Sequence, residues 1–196
     1  MNDDTAKVIR MGTGLPLYEE QIRNMRSCDL VEWQSHTAIG YAIRFFTKKT
    51  VNHSSILLRM DRPGLSDRRF VIEALGGGLE LRLMGERLSV YKGRVWWYPL
   101  KRNLGTPECI PTMVDWAILQ TAMGKGYDYG SLVRNMFGRV SVDGAAWFCS
   151  EAYTAMLQKG KLYDMNGKAL RPGEFGVLNL HEPPVLIFDS KGGRNG

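Results

Sequence analysis

The chain has 196 residues, of which 44% are hydrophobic and 23% are charged, so it is long and apolar enough to bury one core of ordinary size. Its formal net charge is +6 at pH 7, but lysine and arginine are dispersed, and the densest stretches are Lys48-Lys49 and Arg68-Arg69. This composition argues against a disordered chain and against a specific nucleic-acid binder. A generally basic surface also suits an anionic partner such as a cell-wall polymer or phospholipid headgroups.

The sequence contains no pattern typical of a signal peptide or a membrane span. The first residues, MNDDTAKVIRMG, lack an apolar centre, and no apolar run approaches 18 residues. We therefore expect a protein that is cytoplasmic as synthesised, with delivery or release by a route without a classical signal left open. We predict an N-terminal segment over 1–14, a single domain over 15–189 and a flexible tail over 190–196.

Hydrophobic periodicity predicts strands in the middle of the chain, with helices before and after them. The helices are predicted at 15–27, 36–47, 106–124, 126–138 and from Cys149 onward. The strands are predicted at 29–33, 51–60, 68–76, 79–84, 93–100 and 183–189. This arrangement is typical of an α+β domain with a mostly antiparallel sheet.

One of the three cysteines, Cys149, lies in AAWFCSEAYTAML, at the expected start of a helix. Apolar residues at helical offsets from Phe148 form one stripe, and Cys149 lies next to that stripe. At a helix start, unpaired backbone N–H groups and the helix dipole favour a thiolate and can stabilise an oxyanion. These residues alone leave two interpretations open, a buried structural cysteine and a nucleophile.

A nucleophilic cysteine needs a base, and the base needs an orienting acceptor. His53 lies in the strand pattern VNHSSILL, whereas His36 precedes a helix and His181 lies in a late loop. Glu73 is a lone carboxylate in the apolar run RRFVIEALG, where burial without a partner is costly. Because a short loop joins the two strands, we expect them to pair antiparallel, with Glu73 beside His53. A structural histidine and an outward-facing glutamate stay open as alternatives.

Five segments, in this order, resemble the circularly permuted NlpC/P60 (papain-like) superfamily, and within it the YiiX/YebB-like hydrolases. They are CDLVEW, HTAIGYAIRFFTKKTVNHSSILL, VIEALGGGLEL, GKGYDYGSL and WFCSEAYTAML, and the resemblance as a whole covers roughly residues 28 to 181. The resemblance implies a permuted papain-like fold with a central antiparallel sheet, flanking helices and a nucleophile at a helix N-terminus. In that branch the histidine strand precedes the cysteine helix, as it does here.

By this resemblance Cys149 is the nucleophile, His53 the general base and Glu73 the residue that orients His53. The implied activity is cleavage of an amide bond in a peptide or peptidoglycan stem peptide through a thioester acyl-enzyme. The resemblance implies no metal and no organic cofactor. Two alternatives stay open: a lipid-directed acyltransferase or thioesterase that uses the same three residues, and a non-catalytic binding module of the same fold. The oligomeric state is left open.

Two aromatic residues are the predicted contacts for substrate. Tyr127 matches the family's YDY element, with a structural role as the alternative. Trp33 belongs to a set of aromatic side chains that suits an apolar acyl groove, with a place in the core as the alternative. Asp29 matches an aspartate that begins a strand in the family. Cys28 stands where the family usually has a glycine before that aspartate, so this departure concerns a turn rather than the chemistry.

Overall fold

The computed structural model describes residues 15–75, 78–123 and 144–191 of the chain. Within these residues the helices are α1 (Pro16–Gln21), α2 (Ala38–Thr47), α3 (Met84–Ser89), α4 (Cys109–Ala122) and α5 (Gly144–Lys159). The strands are β1 (Leu30–Ser35), β2 (His53–Arg59), β3 (Arg69–Leu75), β4 (Gly78–Leu83), β5 (Gly93–Tyr98) and β6 (Val185–Asp189). A single 3₁₀ turn covers Phe175–Val177.

The six strands of the described residues form one sheet in the order β4-β3-β2-β1-β5-β6. Every pair of neighbouring strands is antiparallel. Short connections place β2, β3 and β4 side by side, as expected for consecutive strands, and β5 returns to the free edge of β1. The predicted α+β class with an antiparallel sheet is therefore confirmed.

Both faces of this sheet are covered, which explains why the middle strands are almost continuously apolar rather than alternating. The first face packs against α4 and α5, and its buried core includes Leu30, Ile56, Ile72, Met113, Tyr153 and Met156. The second face packs against α1 and α3, and its buried core includes Tyr18, Trp33, Leu57, Val71, Met84 and Leu88. Successive residues of a strand point to opposite faces, so each strand contributes to both cores.

The observed elements differ from the predicted ones at several boundaries. Helix α1 ends at Gln21, within the predicted 15–27, and α3 begins at Met84, the last residue of the strand predicted at 79–84. Both helices have six residues, fewer than two turns, so their hydrophobic period is too short to be distinguished from a strand end or a loop. The helix predicted at 126–138 and the segment 1–14 lie outside the described residues.

The turn before β1 adopts a conformation that favours glycine. Cys28 has a φ of 70°, in the left-handed region that glycine adopts without strain. The Cys28 N–H donates to the carbonyl of Leu57 at 2.9 Å, and the Leu57 N–H donates to the carbonyl of Asp29 at 2.9 Å. These two hydrogen bonds set the register at which β1 begins beside β2.

Candidate functional site

His53 and Glu73 lie next to each other on the second face of the sheet. Strands β2 and β3 pair with Ile56 opposite Ile72, which brings the start of β2 beside the end of β3. The His53 Nε2 atom is 2.7 Å from Glu73 Oε1, and the side chains of His53 and Glu73 are 15% and 0% exposed. The structure thus shows the pairing of strands and residues that the sequence predicted. A carboxylate at Nε2 fixes that nitrogen as the N–H donor, so Nδ1 carries the lone pair of the neutral ring.

Arg87, from helix α3, holds the second oxygen of the same carboxylate. Its Nε donates to Glu73 Oε2 at 2.9 Å. Its guanidinium carbon lies 5.0 Å from the ring centroid of Trp33 and 5.1 Å from that of Tyr91. A planar cation can bind a carboxylate and stack on aromatic rings at once, which lysine does less well. Arg87 is not predictable from the sequence, because one arginine in MGERLS carries no signal of a buried partner.

The charge of Glu73 is compensated despite its burial. Burial alone opposes ionisation and raises its pKa, but the hydrogen bond and charge of His53, together with Arg87, outweigh burial and lower the pKa to about 2. The Ser55 hydroxyl adds a long hydrogen bond of 3.4 Å to Glu73 Oε1. Glu73 is therefore ionised throughout the physiological pH range and can stabilise a positive charge on His53.

Trp33 supports this pair from beneath. Its side chain is 0% exposed, its Nε1 donates to Ser55 Oγ at 2.6 Å, and its ring centroid is 6.2 Å from that of His53. A side chain with no exposed surface does not reach a substrate in this conformation. The predicted substrate contact at Trp33 is thus corrected to a packing and hydrogen-bonding role, since the aromatic is buried between the sheet and α3.

The helix that carries Cys149 packs on the first face of the sheet, through Tyr153, Met156 and Leu157. This helix begins at Gly144, so Cys149 is its sixth residue. The N–H groups left free at a helix start belong to its first four residues, here 144–147. The prediction that Cys149 lies at the helix N-terminus is therefore not confirmed, because the alanines before it are good helix formers and extend the helix backward.

The side chain of Cys149 and the whole of Tyr127 lie outside the described residues. The structure thus brings together His53 and Glu73, two of the three predicted catalytic residues. The contact between His53 and Cys149 stays a prediction, as does the substrate role of Tyr127.

Two further buried carboxyl groups lie outside the predicted set. Glu32, on β1, is 1% exposed and accepts a hydrogen bond from the Gly173 N–H at 2.7 Å. Burial, partly offset by hydrogen bonds from Gly173 and Tyr98 and by the Lys49 charge, raises the pKa of Glu32 to about 7. On α5, burial raises the pKa of Glu151 to about 7, and neither of its oxygens has a hydrogen-bond partner among the described residues. Both groups change charge near neutral pH, which the sequence pattern did not reveal.

The other histidines occupy different environments. His181 is buried, its Nε2 lies 2.8 Å from the Tyr153 hydroxyl, and burial lowers its pKa to about 4. It therefore stays neutral at physiological pH and belongs to the core beneath α5. His36 stacks on Tyr41 at a centroid distance of 6.3 Å. Within the described residues, His53 is the histidine that pairs with a buried carboxylate.

The described residues contain neither a cluster of metal ligands nor a membrane-spanning helix. No three side chains of histidine, cysteine, aspartate or glutamate in 15–75, 78–123 and 144–191 lie where they would hold a metal ion together. Among the helices of the same residues, none combines the length and the apolar character needed to cross a membrane.

The fold and the site define an α+β protein with a buried His–Glu–Arg network on a six-stranded antiparallel sheet. No protein-family description matches the chain, and no curated protein matches it significantly. Among solved structures, it is similar to the crystal structure of metalloprotein yiiX from Escherichia coli O157:H7, DUF1105, with a TM-score of 0.45 and 12% sequence identity. The similarity covers 84% of this chain and 97% of that one. A likeness of this degree assigns neither a family nor an activity to the chain.

Proposed function

We propose that the chain is a cysteine hydrolase that cleaves an amide bond in a peptide or a peptidoglycan stem peptide. Cys149 is the nucleophile, His53 the general base and acid, and Glu73 the residue that orients His53. The observation that carries the proposal is the 2.7 Å hydrogen bond between His53 Nε2 and the fully buried Glu73 carboxylate. A histidine held in one tautomer by a permanently ionised partner is what nucleophilic catalysis by a thiol requires.

The reaction proceeds in two halves. His53 Nδ1 takes the thiol proton, and the sulfur of Cys149 attacks the carbonyl carbon of the amide. The C–N bond then breaks as the His53 imidazolium donates its proton to the leaving amine, which leaves a thioester on Cys149. In the second half His53 takes a proton from water, the resulting hydroxide attacks the thioester, and His53 returns the proton to the departing sulfur. Glu73 stabilises the imidazolium in both halves.

The mechanism makes one geometric demand on the protein, that the Cys149 sulfur reaches Nδ1 of His53. Helix α5 packs on the first face of the sheet, against Ile56 and Ile72. The His53–Glu73 pair lies on the second face, with Arg87 of α3. His53 is the first residue of β2, so the thiol has to reach Nδ1 around that end of the strand. A crystal structure with the Cys149 sulfur within about 4 Å of Nδ1 meets this demand, and one with His53 turned away from the cysteine contradicts the mechanism.

A lipid-directed acyltransferase or thioesterase is the second candidate, and one feature of helix α2 favours it. Phe45 and Tyr41 are 80% and 54% exposed, and the guanidinium of Arg44 lies 4.5 Å over the Tyr41 ring. Exposed aromatics beside basic residues on an amphipathic helix suit the boundary between a membrane and water. Cys149 would then attack an acyl ester or thioester with the help of His53 and Glu73. The acceptor of the acyl group would be water or a second lipid.

A substrate screen with matched cysteine variants tests both candidates. Digests of peptidoglycan and a panel of acyl lipids are incubated with the unmodified protein, with Cys149→Ala and with Cys109→Ala, whose buried thiol is the control. We expect release of peptide fragments by the unmodified protein and the control, and none by Cys149→Ala. Turnover of lipids alone would support the second candidate. Equal turnover by Cys149→Ala, or no turnover of either substrate class by the unmodified protein, would contradict the proposed catalysis.

A further inference from the structure

A cavity of about 470 Å³ opens at the end of β1 that lies opposite the His53 pair. Trp33 pairs with His53 across β1 and β2, whereas the cavity contains Asp29, which precedes β1. Four residues of strand separate these positions, or about 13 Å. The wall of the cavity includes Arg26, Asp29, Trp97, Lys101, Arg102 and Glu182. The cavity is therefore a second place, distinct from the candidate catalytic residues, where a ligand can be held in an open cleft.

A single buried carboxylate organises this cavity. Asp29 is 0% exposed and accepts four hydrogen bonds. Its Oδ2 accepts from the Arg26 N–H at 2.8 Å and from Trp97 Nε1 at 2.8 Å. Its Oδ1 accepts from the Leu100 N–H at 3.0 Å and from the guanidinium of Arg102. Because both oxygens are saturated, Asp29 acts as a fixed anchor that ties the segment before β1 to the segment after β5.

Three cationic residues belong to the cavity wall, and Asp29 holds the guanidinium of one of them, Arg102. Arg102 is held at two points, by Asp29 and by the Ser27 carbonyl at 3.0 Å. Arg26 and Lys101 form no ion pair with any acidic side chain of the described residues, and the Lys101 ammonium donates only to the neutral amide of Asn179. Arg102 and Asp29 neutralise each other, so the remaining wall charges, Arg26 and Lys101 against Glu182, sum to one positive charge.

We propose that this cavity binds the oxyanion of a small organic ligand, a phosphate or a carboxylate. The guanidinium of Arg102 is a planar fork that matches either oxyanion, and its two anchors hold it in place before the ligand arrives. Arg26 and Lys101 supply the charge that attracts the anion. The volume of about 470 Å³ lies within the range of small-molecule sites, about 300–1,000 Å³, so the cavity has room for a ligand larger than a lone inorganic ion.

Calorimetric titration with two probe anions, pyrophosphate and succinate, tests the proposal at low ionic strength. The variant Arg26→Gln/Lys101→Gln removes two cavity charges. The variant Arg82→Gln/Lys92→Gln removes two exposed charges from β4 and from the turn before β5, away from the cavity. We expect saturable binding of at least one probe, a loss of at least about tenfold in the cavity variant, and less than a twofold change in the control.

A third variant tests the role of charge in the cavity, and the relative affinity for the two probes identifies the kind of oxyanion. Glu182, an exposed carboxylate on the cavity wall, repels an anion there, so Glu182→Gln is expected to tighten binding by about twofold to fivefold. Tighter binding of pyrophosphate identifies a phosphate ligand, and tighter binding of succinate identifies a carboxylate ligand. Absence of saturable binding of either probe to the unmodified protein would overturn the proposal, and so would an equal loss in both double variants or weaker binding to Glu182→Gln. The readout is binding rather than turnover, so it is independent of Cys149 and His53.

Discussion

The carboxylate of Glu73, which has no exposed surface, lies 2.7 Å from Nε2 of His53 at the edge where β2 begins. Arg87 occupies the other oxygen of that carboxylate at 2.9 Å. The arrangement keeps the glutamate charged and leaves the histidine with one defined donor nitrogen. It is costly to bury an ionised carboxylate unless its partners are in place, so this part of the sheet depends on all three residues.

Replacing Glu73 by glutamine removes the charge but keeps the size of the side chain. We expect Glu73→Gln to lower kcat/KM on the substrate found by the screen by about 10²-fold or more, because general base catalysis by an oriented histidine contributes about 10²–10⁴-fold. The control is Glu20→Gln, an exposed carboxylate on α1, which should keep its full activity. Unchanged kcat/KM in Glu73→Gln would remove Glu73 from the mechanism.

The lowered pKa of Glu73 makes the protein sensitive to acid. The folded-state pKa of about 2 lies below the ordinary value of 4.5, so ionisation of Glu73 stabilises the fold above pH 4.5, and this contribution is lost as the pH falls toward 2. The difference corresponds to about 3 kcal/mol. Urea unfolding measured from pH 6 to pH 2 should show this loss in the unmodified protein and a smaller loss in Glu73→Gln. Parallel curves for the two proteins would contradict the assigned ionisation.

Arg87 is expected to act as a positioning residue through Glu73. Arg87→Gln removes a cation that lowers the pKa of Glu73, so acid unfolding should begin at a higher pH, and stability at pH 7 should fall by about 2 kcal/mol. Arg87→Lys keeps the charge and should restore most of the acid resistance, although it loses the planar contact with Trp33 and Tyr91. If lysine and glutamine at position 87 gave the same acid-unfolding profile, the charge of Arg87 would not control Glu73.

Glu32 should have the opposite effect on stability from Glu73. Its folded-state pKa of about 7 lies above the ordinary value of 4.5, so the protonated form is favoured in the folded protein, and stability falls as the pH rises from 4.5 through 7. The expected loss is about 3 kcal/mol. Glu32→Gln keeps an oxygen acceptor for the Gly173 N–H and should remove this dependence, as measured by urea unfolding between pH 4.5 and pH 8. A loss of stability in Glu32→Gln as large as in the unmodified protein would contradict the prediction.

The cysteines should differ in reactivity. Burial raises the pKa of Cys28 to about 12 and raises that of Cys109, so both thiols are protonated and inaccessible in the folded protein. Iodoacetamide at mildly acidic pH is therefore expected to label Cys149 first, as read by mass spectrometry of peptides. Denaturation in urea should make all three react alike, which is the control. Equal labelling of the three cysteines in the folded protein would count against an activated thiolate at Cys149.

Much of the central sheet was predictable because the signals are local. β-branched and apolar runs marked β2 and β3, and the short turn between them predicted antiparallel pairing. An acidic residue in an apolar strand and a histidine in the next strand then predicted the contact of Glu73 with His53. Helix α3 was missed because six residues give too short a period, and with it Arg87 was missed as the second partner of Glu73.

Alternation along the strands and the short connections between them were sufficient to predict the antiparallel strands, the α+β class and the contact of His53 with Glu73, because these features follow from the backbone over a few residues. Three other features could not be predicted in this way. Trp33 is buried beneath His53, Asp29 anchors a cavity with three cationic residues in its wall, and the His53 pair lies on the face opposite helix α5. These features depend on which faces of distant elements pack together, and on which charged side chain is long enough to reach a buried carboxylate.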